Sequence, residues 1–223
     1  MNRDIPKQFI HILDKPLIVY TLEAFQRHSD IDALYVVCIR GWEEVLCAFA
    51  REYGISKLRG LTPGGATGQE SILHGLLEIR RHHDPDDIVV VHDGNRPLIS
   101  QDMLSDCLVT VKKFGSAVAA IPCQEALLLT DDMLTSNHMG PPREKLARTQ
   151  TPHAFPLGKL LDAHKRAAAA GITGTVASCT LMLELGESVH FSVGSEKNIK
   201  VTTSEDLDLL KAILAAARKE ARA

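Results

Sequence analysis

The sequence predicts an α/β fold: a mostly parallel sheet layered between helices. Two observations predict it. Strand-like apolar runs alternate with amphipathic helical stretches along nearly the whole chain. Ile88-Val89-Val90-Val91 also places four β-branched residues in a row, the pattern of a strand buried on both faces. At 223 residues, 45% hydrophobic and 24% charged, the chain has the length for one domain (1–223) with a full core.

The elements follow in order. Residues 16–28 read as a helix with Leu17, Ile18, Leu22 and Phe25 on one face. Residues 33–39 are strand-like and 42–53 helical. Pro63-Gly64-Gly65 reads as a loop leading into a helix over 70–82. After the 88–91 strand comes a helix over 100–114, for which Ser100 is a fitting N-cap, and then a strand over 117–121. The pattern breaks beyond Pro122. Residues 126–130 look strand-like, but 131–143 are polar and turn-rich, with Gly140-Pro141-Pro142. The segment 126–145 reads as an arm leaving the main body. Residues 157–170 form a helix that stops at Gly171, a suitable C′ glycine. A strand over 189–193 and a helix over 204–218 complete the chain.

Composition excludes several classes. A net charge of -3 and a pI of about 6.4 advertise neither nucleic acid nor an anionic membrane. No apolar stretch reaches the ~20 residues of a membrane span, and Met1-Asn2-Arg3-Asp4 carries no signal-peptide character. Five cysteines (38, 47, 107, 123, 179) lack a paired spacing, which points to reduced core thiols and a cytoplasmic protein. Ten histidines include no His-x3-His pair, so a histidine zinc site is not expected. No G-x-G-x-x-G follows a strand, which disfavours a dehydrogenase.

The chemistry-bearing motifs are Pro6-Lys7-Gln8 and His92-Asp93-Gly94-Asn95-Arg96-Pro97. Asp93 lies two residues past Val91, at the sheet edge where open α/β folds bind ligands. A Lys and a strand-end Asp suit a polyphosphate with a divalent cation: the Lys as a point charge, the Asp as a hard oxygen ligand. A surface lysine and a capping aspartate would read the same way, and both readings stay open on spacing alone.

Five segments in order resemble the cytidylyltransferases that activate polyol phosphates, such as 2-C-methyl-D-erythritol 4-phosphate and D-ribitol 5-phosphate. They are Pro6-Lys7-Gln8-Phe9 with Lys15-Pro16; Gly64-Gly65 with Ser71; His92-Asp93 with Arg96-Pro97; Gln150-Thr151-Pro152; and Asn198-Ile199-Lys200-Val201-Thr202. The resemblance implies a three-layer Rossmann-like nucleotidyltransferase fold with a protruding dimerisation arm, and transfer of CMP from CTP to a polyol phosphate with Mg²⁺. It implies catalytic roles for Lys7, Asp93 and Lys200, with Asp93 as the metal ligand. Gly64, Gly65, Ser71 and Asp93 would meet the nucleotide, and Arg96, Arg143 and Thr151 the acceptor. Arg96 reads equally as a structural salt bridge under its loop. The family's arm crosses to a neighbouring subunit, which implies a homodimer with shared sites.

The family begins with an apolar strand and a Gly-rich loop ending in Arg-Met, and Met1 falls where that Met would be. By comparison with such a strand-plus-loop unit, about 15–20 residues are missing before Met1: either the chain as given begins at an internal methionine, or the truncation is real and the protein no longer catalyses. Gly68 replaces the family's usual Arg, Gly94-Asn95 a small apolar pair, and Ala126 a Thr, and an acidic Thr-Asp pair is missing near Val176-Ala177. These departures leave two alternatives open: transfer with another nucleotide or sugar phosphate, and a non-catalytic nucleotide-binding homologue.

Overall fold

The computed structural model describes residues 5–220; the Gly-rich loop expected before Lys7 lies outside them. A 3₁₀ turn, Lys7–Phe9, leads into a two-rung hairpin, β1 (His11–Ile12) and β2 (Lys15–Pro16). Helix α1 (Leu17–Arg27) buries Leu17, Ile18, Val19, Leu22 and Phe25. Next come β3 (Leu34–Cys38), α2 (Glu43–Glu52), β4 (Leu58–Pro63), α3 (Gly68–Arg80) and β5 (Ile88–Val91). Helix α4 (Gln101–Phe114) starts as expected, with Ser100 accepting from the Met103 N–H, and ends on Gly115 at φ 72°. Then follow β6 (Ala117–Pro122), β7 (Leu128–Leu129), β8 (His138–Met139) and β9 (Ala147–Pro156). The remaining elements are α5 (Leu157–Ala169), α6 (Ser178–Glu184), β10 (Phe191–Val193) and α7 (Ser204–Glu220). Gly171 takes φ 69° after α5, the left-handed conformation its position calls for.

The main sheet has the order β10-β6-β9-β5, while β3 and β4 form a separate parallel pair. β10 runs parallel to β6, and β9 runs antiparallel to both β6 and β5. β5, β6 and β10 therefore share one direction, and β9 is the exception that makes the sheet mixed. The sequence pattern predicts no strand there. Gln150, Pro152 and His153 break any apolar run, and a proline argues against a central strand. The sheet accommodates Pro152 through a register shift: Val118 opposes His153 while Ala120 already opposes Thr149. The proline thus sits in a bulge, where no ladder bond is required of it. β4 is also absent from the sequence pattern, because Arg59, Gly60 and Thr62 interrupt its apolar residues.

Helices cover both faces of the sheet. α1, α2 and α4 pack on one side in a cluster that takes in Ile88 and Val90. α3, α5 and α6 pack on the other with Val89, Val91, Val118 and Phe155. Successive β5 residues therefore enter opposite layers, as a two-faced strand must. Three of the four keep some exposure, and β5 is paired with β9 alone among the described residues. A third cluster of Ile12, Leu17, Val201, Leu207 and Leu210 ties α7 to the opening hairpin.

Between β6 and β9 the chain leaves this body. β7 and β8 make a two-rung antiparallel hairpin, narrower than the strand expected over 126–130. Leu128, Met133, Leu134 and Met139 are 64–87% exposed on it.

Phe155 is fully buried on β9, and Leu209 on α7 is half-exposed. Phe155→Ala is expected to lower unfolding free energy by about 3–5 kcal/mol, and Leu209→Ala to change it by less than about 0.5 kcal/mol, as measured by urea denaturation. Equal losses would contradict the central place of β9.

Candidate active site

The site is organised by the turn that follows β5. The Asp93 carbonyl accepts from the Arg96 N–H at 3.0 Å, and His92 Nε2 lies 3.1 Å from the Arg96 carbonyl. A carbonyl only accepts, so His92 must carry its proton on Nε2. Its Nδ1 is buried without a partner, which suits a neutral ring. The backbone N–H of Asp93 donates to Thr151 Oγ1 at 3.1 Å, so β9 fixes the turn from the side.

The Asp93 carboxylate is shared by two cations. Oδ2 lies 3.1 Å from Lys200 Nζ and 3.3 Å from Arg96 Nε. Burial alone would raise this carboxyl, but Lys200 and then Arg96 outweigh it and hold it below the usual carboxylate value. Asp93 is therefore ionised at neutral pH. Arg96 is occupied within the fold: its side chain is 12% exposed, and Nη1 donates to the Asn198 carbonyl at 2.8 Å.

Lys200 reaches Asp93 because its segment is pinned to β9. Asn198 is fully buried, and its Nδ2 donates to the Thr151 carbonyl at 2.8 Å and to Gln150 Oε1 at 3.3 Å. Gln150 in turn donates to the Ser195 carbonyl and accepts from the Ser195 N–H. In the sequence these residues stand out as signatures without a task. The task is mechanical: an amide network joins the strand bearing Thr151 to the segment bearing Lys200.

The glycine loop is bound mainly to itself. Ser71 Oγ accepts from the Gly65 N–H at 3.0 Å and donates to the Thr67 carbonyl at 2.9 Å. Thr67 caps α3 by accepting from the Glu70 N–H, and Glu70 Oε2 folds back onto the Ala66 N–H. A Cβ on Gly65 would lie 2.3 Å from Glu70 Cγ, so this return of the Glu70 side chain requires glycine. Gly64 donates its N–H to the Cys38 carbonyl at the end of β3. The loop is thus pre-shaped, and the Ser71 hydroxyl is already in use.

Two expected site residues make no hydrogen bond or ion pair with the Asp93 cluster among the described residues. Lys7 lies on the opening 3₁₀ turn, which Phe9 anchors by stacking on Trp42 at 4.6 Å. Among the described residues Lys7 has no ion-pair partner. Arg143 lies on an exposed 3₁₀ turn of the arm, where its Nε meets Glu144 at 3.4 Å. Direct bonds therefore join Asp93, Arg96, Thr151 and Lys200, and among the described residues none ties Lys7, the glycine loop or Arg143 to them.

An ionised carboxylate with two cations on it thus sits at the strand-end edge of a layered α/β body, where open α/β folds bind ligands. Comparison with known proteins gives the family. Residues 1–216 match the family model described as IspD, 2-C-methyl-D-erythritol 4-phosphate cytidylyltransferase, and the chain belongs to that family. A ribitol-5-phosphate cytidylyltransferase of Lacticaseibacillus paracasei is 39% identical, over 96% of this chain and 92% of its own. A 2-C-methyl-D-erythritol 4-phosphate cytidylyltransferase of Syntrophotalea carbinolica is 36% identical over 96% and 90%. Among solved structures, 2-C-methyl-D-erythritol 4-phosphate cytidylyltransferase from Thermus thermophilus aligns with TM-score 0.77 at 27% identity, covering 94% of each chain. A 4-diphosphocytidyl-2C-methyl-D-erythritol synthase from Anaerococcus prevotii aligns with TM-score 0.82 at 22% identity, over 94% of this chain and 90% of that one; at that identity it bears on the fold alone.

Burial pushes His92 and His153 down to about 4, and it lowers His164 as well. In the unfolded chain each titrates near its usual value of about 6.5. Between those values the unfolded state binds protons that the folded state refuses, so stability falls as pH falls through that window. The urea midpoint is expected to drop steadily from pH 6.5 toward 4, and His153→Gln should remove about one proton of that slope. A flat profile between pH 6.5 and 5 would contradict the neutral, buried histidines.

Proposed function

We propose that the protein transfers CMP from CTP to a polyol phosphate of the ribitol 5-phosphate or 2-C-methyl-D-erythritol 4-phosphate type. An acceptor phosphate oxygen forms a bond to the α-phosphorus, the bond to the bridging α,β-oxygen breaks, and pyrophosphate leaves with that electron pair. The observation that carries this reading is the Asp93–Lys200–Arg96 cluster at the end of β5, in a chain of the cytidylyltransferase family. Such a reaction needs little covalent chemistry from the protein; it needs positioning and charge neutralisation.

The donor set fits a divalent cation, Mg²⁺ in our reading. Among the described residues no three His, Cys, Asp or Glu side chains cluster, so the protein offers one carboxylate and no cage. One carboxylate is the contribution expected when a cation takes its other ligands from triphosphate and water. Bound there, the cation would neutralise phosphate charge. Lys200 would move from Asp93 Oδ2 onto the triphosphate, and Lys7 would stabilise charge developing at the α-phosphate and on the leaving group. Gly64, Gly65 and Ser71 would present the loop to the nucleotide. Arg143 and the Thr151 hydroxyl would take the acceptor phosphate, while Arg96 holds the site from beneath.

Arg143 makes no bond to the Asp93 cluster of its own chain among the described residues, and the arm exposes Leu128, Met133, Leu134 and Met139. Both features support a homodimer in which each arm completes the partner's site. Free thiols and the use of CTP support a cytoplasmic setting. Among the described residues no helix is long and apolar enough to cross a membrane.

Pyrophosphate release with CTP, Mg²⁺ and a panel of polyol phosphates tests this reading. Turnover with one of them supports it, and no turnover with any of them overturns it. Arg143→Ala is expected to raise KM for the acceptor about tenfold or more while leaving KM for CTP nearly unchanged. Equal effects would remove Arg143 from the acceptor site. In nucleotide-free protein, Lys200→Ala should strengthen Mn²⁺ binding severalfold, because one competing cation leaves Oδ2. Paramagnetic resonance titration measures this, and unchanged affinity would contradict the sharing of Asp93.

A further inference from the structure

We propose that Asn95 is a positioning residue that sets the register of the Lys200 segment against the Asp93 turn. The inference rests on the reading of the site given above. Asn95 is 6% exposed. Its Nδ2 donates to the Val201 carbonyl at 2.7 Å, and its own carbonyl accepts from the Val201 N–H at 2.9 Å. The two bonds join residues 106 positions apart in sequence. Val201 is 1% exposed and packed with Ile12, Leu17 and Leu207, so its carbonyl has little other access to a donor.

The neighbouring residue completes the grip. Arg96 holds the Asn198 carbonyl while Asn95 holds both polar atoms of Val201. Residues 95 and 96 thus fix points on either side of Ile199-Lys200, and the same turn carries Asp93 two residues earlier. The backbone of Lys200 is placed by the loop whose carboxylate its Nζ meets. Only the lysine side chain remains adjustable, and it can swing between Asp93 and a phosphate without losing its anchor.

Gly94 and Asn95 stand where the family resemblance leads one to expect two small apolar residues, and the structure gives the pair a joint reason. The Gly94 carbonyl accepts from Thr21 Oγ1 of α1 at 3.0 Å. A Cβ at residue 94 would lie 2.7 Å from Ile18 Cδ1, so glycine lets the turn seat closely on α1. Asn95 then supplies the donor that draws the Lys200 segment onto the seated turn. A small apolar residue at 95 would keep the backbone bond from Val201 but leave the Val201 carbonyl without its partner. The side-chain clamp therefore depends on the amide of Asn95.

A double-mutant cycle tests the assignment. With CTP and the polyol phosphate used best, Asn95→Ala is expected to lower kcat about ten- to a hundredfold, the cost of a slightly misplaced group. KM for CTP should stay within about twofold. In a Lys200→Ala background the same change should add almost nothing, since it acts through Lys200. Rates are expressed per folded molecule, so lost stability does not count as lost catalysis. Additive effects, or an effect on KM alone, would overturn the proposal. A second arm does not depend on turnover: mass-spectrometric labelling with acetic anhydride. Asn95→Ala should raise labelling of Lys200 severalfold and leave the exposed Lys197 unchanged. If Lys200 labels faster but no acceptor turns over, the clamp stands and the reading of function fails. If labelling is unchanged, the clamp fails whatever the enzyme does.

Discussion

Everything in the site depends on one carboxylate held between two cations. Asp93, Arg96 and Lys200 come from two segments more than a hundred residues apart. Their meeting requires β5 to end where it does, β9 to lie beside it, and residues 195–201 to be bound across the top. Taking charges partly out of water is costly, and attraction repays the cost only with good geometry and further hydrogen bonds. The Asn198 carbonyl supplies one such bond to Arg96 Nη1, while Thr151, Asn198 and Gln150 hold in place the backbone segments that carry the charges. Removing one partner would leave the others partly buried and unpaired, which is the more expensive state.

The charge balance of this cluster has a chemical sense. One anion and two cations leave one positive charge, and the nearby His92 and His153 stay neutral because burial disfavours their protonation. The ligand-free surface at the end of β5 therefore favours a polyanion over a bare dication. Under the proposed function, a metal arriving with its phosphates would meet a carboxylate kept ionised by a lysine that would move aside for it.

Where burial and pattern coincide, the fold was legible in the residues. The run 88–91 does form a strand, although only Val89 in it is buried, and the apolar face of α1, the Ser100 cap and Gly171 appear as their chemistry requires. β9 was not legible, because its inner positions carry Gln150, Pro152 and His153, and a bulge that no local pattern announces makes room for them. Motif order marked Asp93, Lys200 and Thr151 as site residues, and they do converge. Sequence could not reveal that Arg96 turns inward to Asn198, that Ser71 spends its hydroxyl on its own loop, or that Asn95 reaches Val201. Each of those bonds spans a distance or a direction that only the folded chain defines.

The account stands on Asp93, and the most direct measurement is Mg²⁺-dependent pyrophosphate release by Asp93→Asn beside the wild-type protein, with circular dichroism on both. Asparagine keeps the shape and removes the charge. The account predicts an unchanged spectrum and turnover reduced by at least about a hundredfold. A folded Asp93→Asn protein that turns over at the wild-type rate would contradict it.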